Sequence, residues 1–163
     1  MESLFMRRRT FLIFSLLSFF TKLYASKKTN QLQIIKSVLE HLFPNTPTYS
    51  GASSFKGYDF FLFVIKHPTF NKDDLEFILE GANKLDQFNN QFIFLNTKTK
   101  EKILREFETL NFGQNWLSTL LYYGLEAMLG DPIYKGNKDM LGWKNINHTI
   151  PVPTASQPFG KKI

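Results

Sequence analysis

Apolar side chains recur at three- and four-residue steps along most of the middle of the chain, and that period admits helices and little else. Between Thr29 and Phe43, Leu32, Ile35, Leu39 and Leu42 share a face; Thr29 or Asn30 is placed to cap the start and Pro44 to end it. Residues 44–57 are turn-rich and read as a loop. The run from Tyr58 to His67 is almost wholly apolar and stops before Pro68, which leaves a short buried helix or a buried strand, with the helix favoured. Asn71, with Asp73 and Asp74 behind it, is a start signal for a helix of some 20 residues, because carboxylates suit the positive end of the helix dipole. Leu75, Ile78, Leu79, Ala82, Leu85 and Phe92 continue one face from there, with a loosening expected near Asn89 and Asn90. Thr97 or Thr99 caps a fourth helix, carrying Ile103, Leu104, Phe107 and Leu110 and broken at Gly113. A fifth runs from about Gln114 to Leu129 with Trp116, Leu117, Leu120, Leu121, Leu125 and Met128, ending at Gly130-Asp131-Pro132. No strand meander and no repeat interrupts this pattern. The expectation is an all-α chain: a compact bundle of about five helices over residues 26–130, then an irregular Gly/Pro-rich segment over 131–163.

The first 25 residues stand apart. Arg7-Arg8-Arg9 precede an apolar run from Phe11 to Phe20, and a short tail ends at Ala25, which is the three-part order of a signal peptide. The run is about half the roughly 20 residues that a spanning helix needs. Arg8, Arg9, Phe11 and Leu12 resemble the twin-arginine leader that bacteria use to export folded proteins, with Lys22 before a cut after Ala25. An ordinary secretory leader or an uncleaved amphipathic anchor is the alternative. The twin-arginine reading implies the twin-arginine translocase as a partner and the periplasm as destination.

Loss of the leader, with Arg7, Arg8, Arg9 and Lys22 against Glu2, removes +3 of the formal net charge of +6 and leaves +3 on the remainder. The basic balance of the whole chain is therefore no sign of nucleic-acid binding, and no Arg/Lys patch with interleaved aromatics follows. The remaining 138 residues suffice for one domain with its own core. Cysteine is absent, which excludes disulfides, thiolate metal sites and thiol nucleophiles.

Chemistry-bearing constellations are sparse. His41, His67 and His148 lie far apart, with no Glu or second His at metal-ligand spacing. Asp131, Asn137 and Asp139 hint at a calcium loop but lack its closing bidentate Glu and its two-residue ligand spacing, so Asx turns are the better reading. Glu76, Glu80 and Glu126 read as the wet faces of helices. No glycine-rich phosphate loop and no nucleophile elbow occurs, so no catalytic, metal or cofactor-binding residue is named.

From Glu126 to Lys144 the chain reads Glu-Ala-Met-Leu-Gly-Asp-Pro-Ile-Tyr-Lys-Gly-Asn-Lys-Asp-Met-Leu-Gly-Trp-Lys. This resembles the signature of the gluconate 2-dehydrogenase subunit 3 family: Glu-Gly, three residues, Asp-Pro, one residue, Tyr-Gly-Gly-Asn, four residues, Gly-Trp-Lys. Glu126, Asp131, Pro132, Tyr134, Gly136, Asn137, Gly142, Trp143 and Lys144 match; Ala127 and Lys135 stand where glycine is usual. Lys135 is expected to alter the turn, because a residue with a Cβ resists positive φ. The resemblance implies a non-catalytic small subunit without a cofactor of its own. Its partner is then a large FAD-containing dehydrogenase subunit of the glucose-methanol-choline type, often joined by a multihaem cytochrome c that passes electrons to the membrane. It also implies a loop that presses backbone and an aromatic anchor onto another protein, although Tyr134 and Trp143 folding back onto their own bundle is equally open. A self-sufficient periplasmic helical enzyme or binding protein, using the leader only for its own export, is the competing reading.

Overall fold

The computed structural model describes residues 30–149 and Ser156. Residues 1–29 and those beyond Thr149, Ser156 apart, lie outside the described residues, and with them the expected leader residues Arg8, Arg9, Phe11, Leu12 and Ala25 and the cap candidate Thr29. Within the described residues the chain is all-α, as the apolar period requires, with short 3-10 turns joining some of the helices.

Helix α1 occupies residues 30–42 and buries Ile34, Ile35, Val38 and Leu39. The stretch expected to be loop contains a helical turn, α2 (Ala52–Phe55), and Lys56 in the left-handed region passes the chain directly into α3 (Gly57–Val64). Asn45 organises this entry, its Oδ1 accepting from Gly51 N at 2.7 Å and from Ser54 Oγ at 2.7 Å. The apolar run after Tyr58 is helical, and Phe60 and Phe61 face the core.

Helix α4 (Lys72–Phe88) starts as expected, with Asn71 Oδ1 accepting from Asp73 N at 2.9 Å. It stops at Asn89, so Phe92 is not on its face; Phe92 is buried from a separate 3-10 turn (Phe92–Phe94). The cap of α5 (Thr97–Glu108) is Asn96 rather than either threonine, its Oδ1 accepting from Thr99 N at 2.9 Å. Asn binds the open amides at least as well as Thr at this position.

Helix α6 (Asn111–Leu129) begins before Gly113, which lies in its first turn. The glycine does not break a helix there: a Cβ would overlap the Phe107 carbonyl oxygen, so its absence lets α6 start against the end of α5. Leu110 accordingly leaves the α5 face, becomes the residue before α6, and is exposed.

Helix α6 is the axis of the bundle, with α2, α3, α4, α5 and α7 (Leu141–Asn145) packed around it. Its Trp116 is fully buried, donates Nε1–H to Ile78 O of α4 at 2.9 Å, and meets Phe107 edge-on at 5.9 Å. Helix α1 spans α4 and α5 through Gln31 Nε2 to Leu79 O at 3.0 Å and Lys100 Nζ to Ser37 Oγ at 2.8 Å. Each large side chain fully buried here contributes about 1.5–3 kcal/mol of transfer free energy. Among the described residues no helix is long and apolar enough to cross a membrane.

Candidate partner interface

The signature block closes the C-terminal end of α6. A helix ends with carbonyls that have no partner within it, and burying them bare is costly. Here Gly130 N bonds Glu126 O at 2.8 Å, Trp143 Nε1 donates to Leu129 O at 2.6 Å, and Asn137 Nδ2 donates to Gly130 O at 2.9 Å. Asn137 is wholly buried; its Oδ1 accepts from Gly142 N at 2.8 Å, so one carboxamide joins the helix end to the start of α7. Asp131 turns the chain off the helix, its Oδ1 accepting from Ile133 N at 3.0 Å while Pro132 opens a 3-10 turn (Pro132–Tyr134).

Two glycines make the closure possible. A Cβ on Gly136 would crowd the Ala127 carbonyl oxygen at 2.6 Å and the Phe60 Cβ at 3.1 Å, and one on Gly142 would overlap the Met128 carbonyl oxygen. The segment was expected to hold no helix, yet Gly142 sits inside α7, because its bare Cα lets that short helix lie against α6. Lys135 adopts the left-handed conformation itself, at φ 76°, so the strain expected of a residue with a Cβ sits on it. Ala127 is fully buried in the helix interior, where its methyl is accommodated.

These contacts use most of the block's specific residues on the chain itself. Trp143 is only 6% exposed, resolving its open orientation toward the bundle. Tyr134 is half-buried, packed on the core with its ring 6.4 Å from that of Phe63. Lys144 is exposed, and the half-buried Glu126 carboxylate accepts from the Tyr122 hydroxyl, which lifts that phenol above its ordinary value. Asp131, Asn137 and Asp139 do not converge on a common point of coordination: the first two are engaged by backbone, and the exposed Asp139 faces Lys138 at 3.8 Å.

Outside the block, two pairings had no signal in the sequence, because their partners are 60 and 95 positions apart. His41 Nε2 donates to Glu101 Oε2 at 2.7 Å, and Arg105 Nη2 reaches the other oxygen at 2.6 Å. The His41 hydrogen bond first, and then the Arg105 charge, hold the Glu101 carboxyl below its usual value. Asn145 makes a pair of hydrogen bonds with the Ser50 backbone, its Oδ1 accepting from Ser50 N at 3.0 Å and its Nδ2 donating to Ser50 O at 2.9 Å, tying α7 to the loop before α2.

The outward face of α6 is unlike an ordinary surface. Asn111, Gln114, Asn115 and Ser118 lead into Leu121, Tyr122, Leu125 and Leu129, all exposed and all within one-third of the helix circumference. The four apolar side chains are 43%, 58%, 39% and 41% exposed. Leu121 and Leu125, two of the apolar residues that the sequence places on this helix, thus lie outside the core. Glu126 is the helix's single charged residue. A cleft of about 220 Å³ opens beside Leu121 between α1, α5 and α6, walled by Leu42, Leu104 and Leu117 and rimmed by Glu101, Arg105 and Glu108.

No curated protein and no solved structure matches the chain. The family described as Gluconate 2-dehydrogenase subunit 3 matches residues 29–149, which takes in every described helix and the whole signature block. The chain belongs to the gluconate 2-dehydrogenase subunit 3 family, and by that membership is an accessory subunit of a dehydrogenase complex.

Proposed function

We propose that this chain is the non-catalytic small subunit of a periplasmic, FAD-dependent dehydrogenase of the glucose-methanol-choline type, resembling gluconate 2-dehydrogenase. It assembles with the large flavoprotein subunit, stabilises it and carries it through the twin-arginine translocase; a multihaem cytochrome c then takes the electrons toward the inner membrane. The family match over residues 29–149 carries this reading. Two features support it. Arg8 and Arg9 stand in a leader suited to folded cargo, and a flavoprotein must take up FAD and fold before export. The uncharged outer face of α6 is the composition expected of an interface core rather than of a free surface.

The test is purification of the exported protein without detergent. A flavin-containing chain of some 500 residues or more is expected to accompany it in fixed proportion, with the yellow flavin absorbance in that larger chain. Recovery of a lone chain with turnover of its own would overturn the proposal.

A further inference from the structure

The most specific residues of the signature block are spent on their own chain. Trp143 and Asn137 are buried in their own chain, and the glycines they accompany are filled by α6. We infer that the outer face of α6, centred on Leu121, Tyr122, Leu125 and Leu129 and extended into the cleft beside Leu121, is the docking surface for the large dehydrogenase subunit. The inference rests on the subunit reading given above and adds where the contact is made.

The chemistry of the face selects the occupant. Interface cores are depleted of charge and enriched in aromatic and apolar side chains. From Asn111 to Leu125 there is no charged residue, over about 20 Å of helix at 1.5 Å per residue. A helix lying on a membrane would carry Lys or Arg along its polar edge, and α6 carries none. A second copy would set this stripe against itself: the four apolar side chains offer on the order of 350 Å², so self-pairing would bury about 700 Å² of apolar area against the roughly 1,200 Å² of stable interfaces, and the rest would have to come from the polar Asn111, Gln114, Asn115 and Ser118. A larger subunit can cover the whole uncharged face and place an apolar side chain in the cleft, whose Leu42, Leu104 and Leu117 walls are continuous with the stripe through Leu121. The Arg105 and Glu101 rim then pairs with polar groups at the edge.

The experiment co-expresses the full chain with the large flavoprotein subunit that co-purifies with it and measures the affinity of the purified pair, for wild type, Leu125→Glu, Leu129→Gln and Phe94→Ser. Leu125→Glu is expected to weaken association about a hundredfold or more, because it buries an unpaired carboxylate, and Leu129→Gln about tenfold. Phe94, 82% exposed on the turn before α5, serves as an apolar position off the face and is expected to change nothing. The α6 substitutions are at exposed positions, and unchanged circular dichroism and Tm separate a lost contact from a lost fold. Wild-type binding with undiminished affinity in Leu125→Glu would overturn the surface while leaving the subunit reading intact, as would loss of binding in Phe94→Ser alone. Wild-type chain that forms a homodimer disrupted by Leu125→Glu would give the face to a second copy and overturn the inference. Failure of the wild type to bind any flavoprotein would remove the subunit reading itself.

Discussion

Replacing Asn137 by alanine tests whether the signature block is a helix closure. Asn137 is fully buried, sits at φ 44°, donates to Gly130 O and accepts from Gly142 N. Alanine leaves the buried Gly142 N–H without its partner, which costs about 1–3 kcal/mol; the Gly130 carbonyl, partly open to water, adds roughly 0.5–1.5 kcal/mol. Alanine also tolerates the left-handed region less well than asparagine, for about 1 kcal/mol more. The sum is about 3–5 kcal/mol, a large part of the 5–15 kcal/mol that holds a domain of this size. Urea unfolding of the leaderless chain, followed by circular dichroism, should show the midpoint falling at unchanged slope. Asn137→Gly should recover about 1 kcal/mol of the loss, since glycine carries no left-handed penalty while the hydrogen bonds stay absent. A loss under 1 kcal/mol for Asn137→Ala, or no difference between Ala and Gly, would refute the reasoning.

Reverting the two departures from the family pattern should act in opposite directions. Lys135→Gly relieves a lysine at φ 76° and should raise stability by about 0.5–1 kcal/mol in urea unfolding, after the entropy lost by freeing the unfolded chain. Ala127→Gly places glycine inside α6 and should lower it by about 1 kcal/mol in the same assay. Gly142→Ala drives a Cβ into the Met128 carbonyl and should cost about 1–3 kcal/mol, visible as a lower Tm. Glu101→Gln should be less stable than wild type at neutral pH. The folded Glu101 carboxyl is depressed by His41 and Arg105, so its contribution is complete above the ordinary value of 4.5 and is lost as pH falls through the lower folded value. The gap in Tm between the two proteins should therefore close as pH falls below 4.5.

The helices were legible because burial alone places apolar residues at their period, and Asn71 shows that a cap can be read where one polar side chain precedes the turn it serves. Boundaries were less legible where a glycine answers to a distant atom. Gly113 reads as a breaker in isolation; what matters is the Phe107 carbonyl it lies against, and period carries no trace of that contact. Phe92 reads as a continuation of α4 because an apolar residue on a separate turn can reach the same core. At the signature, the family resemblance picked out the residues while their physical use came only with the fold: Asn137 and Trp143 serve carbonyls at the end of α6. The uncharged run from Asn111 to Leu125 was legible as composition, and the fold adds which third of that helix is left outside.

The most direct measurement is the location of the flavoprotein when the proposed twin-arginine leader is disabled. With Arg8 and Arg9 both changed to lysine, fractionated cells should hold the flavin-bound large subunit in the cytoplasm together with this chain, and dehydrogenase activity should leave the periplasm. A flavoprotein that still reaches the periplasm in normal amounts would contradict a carrier role for this chain.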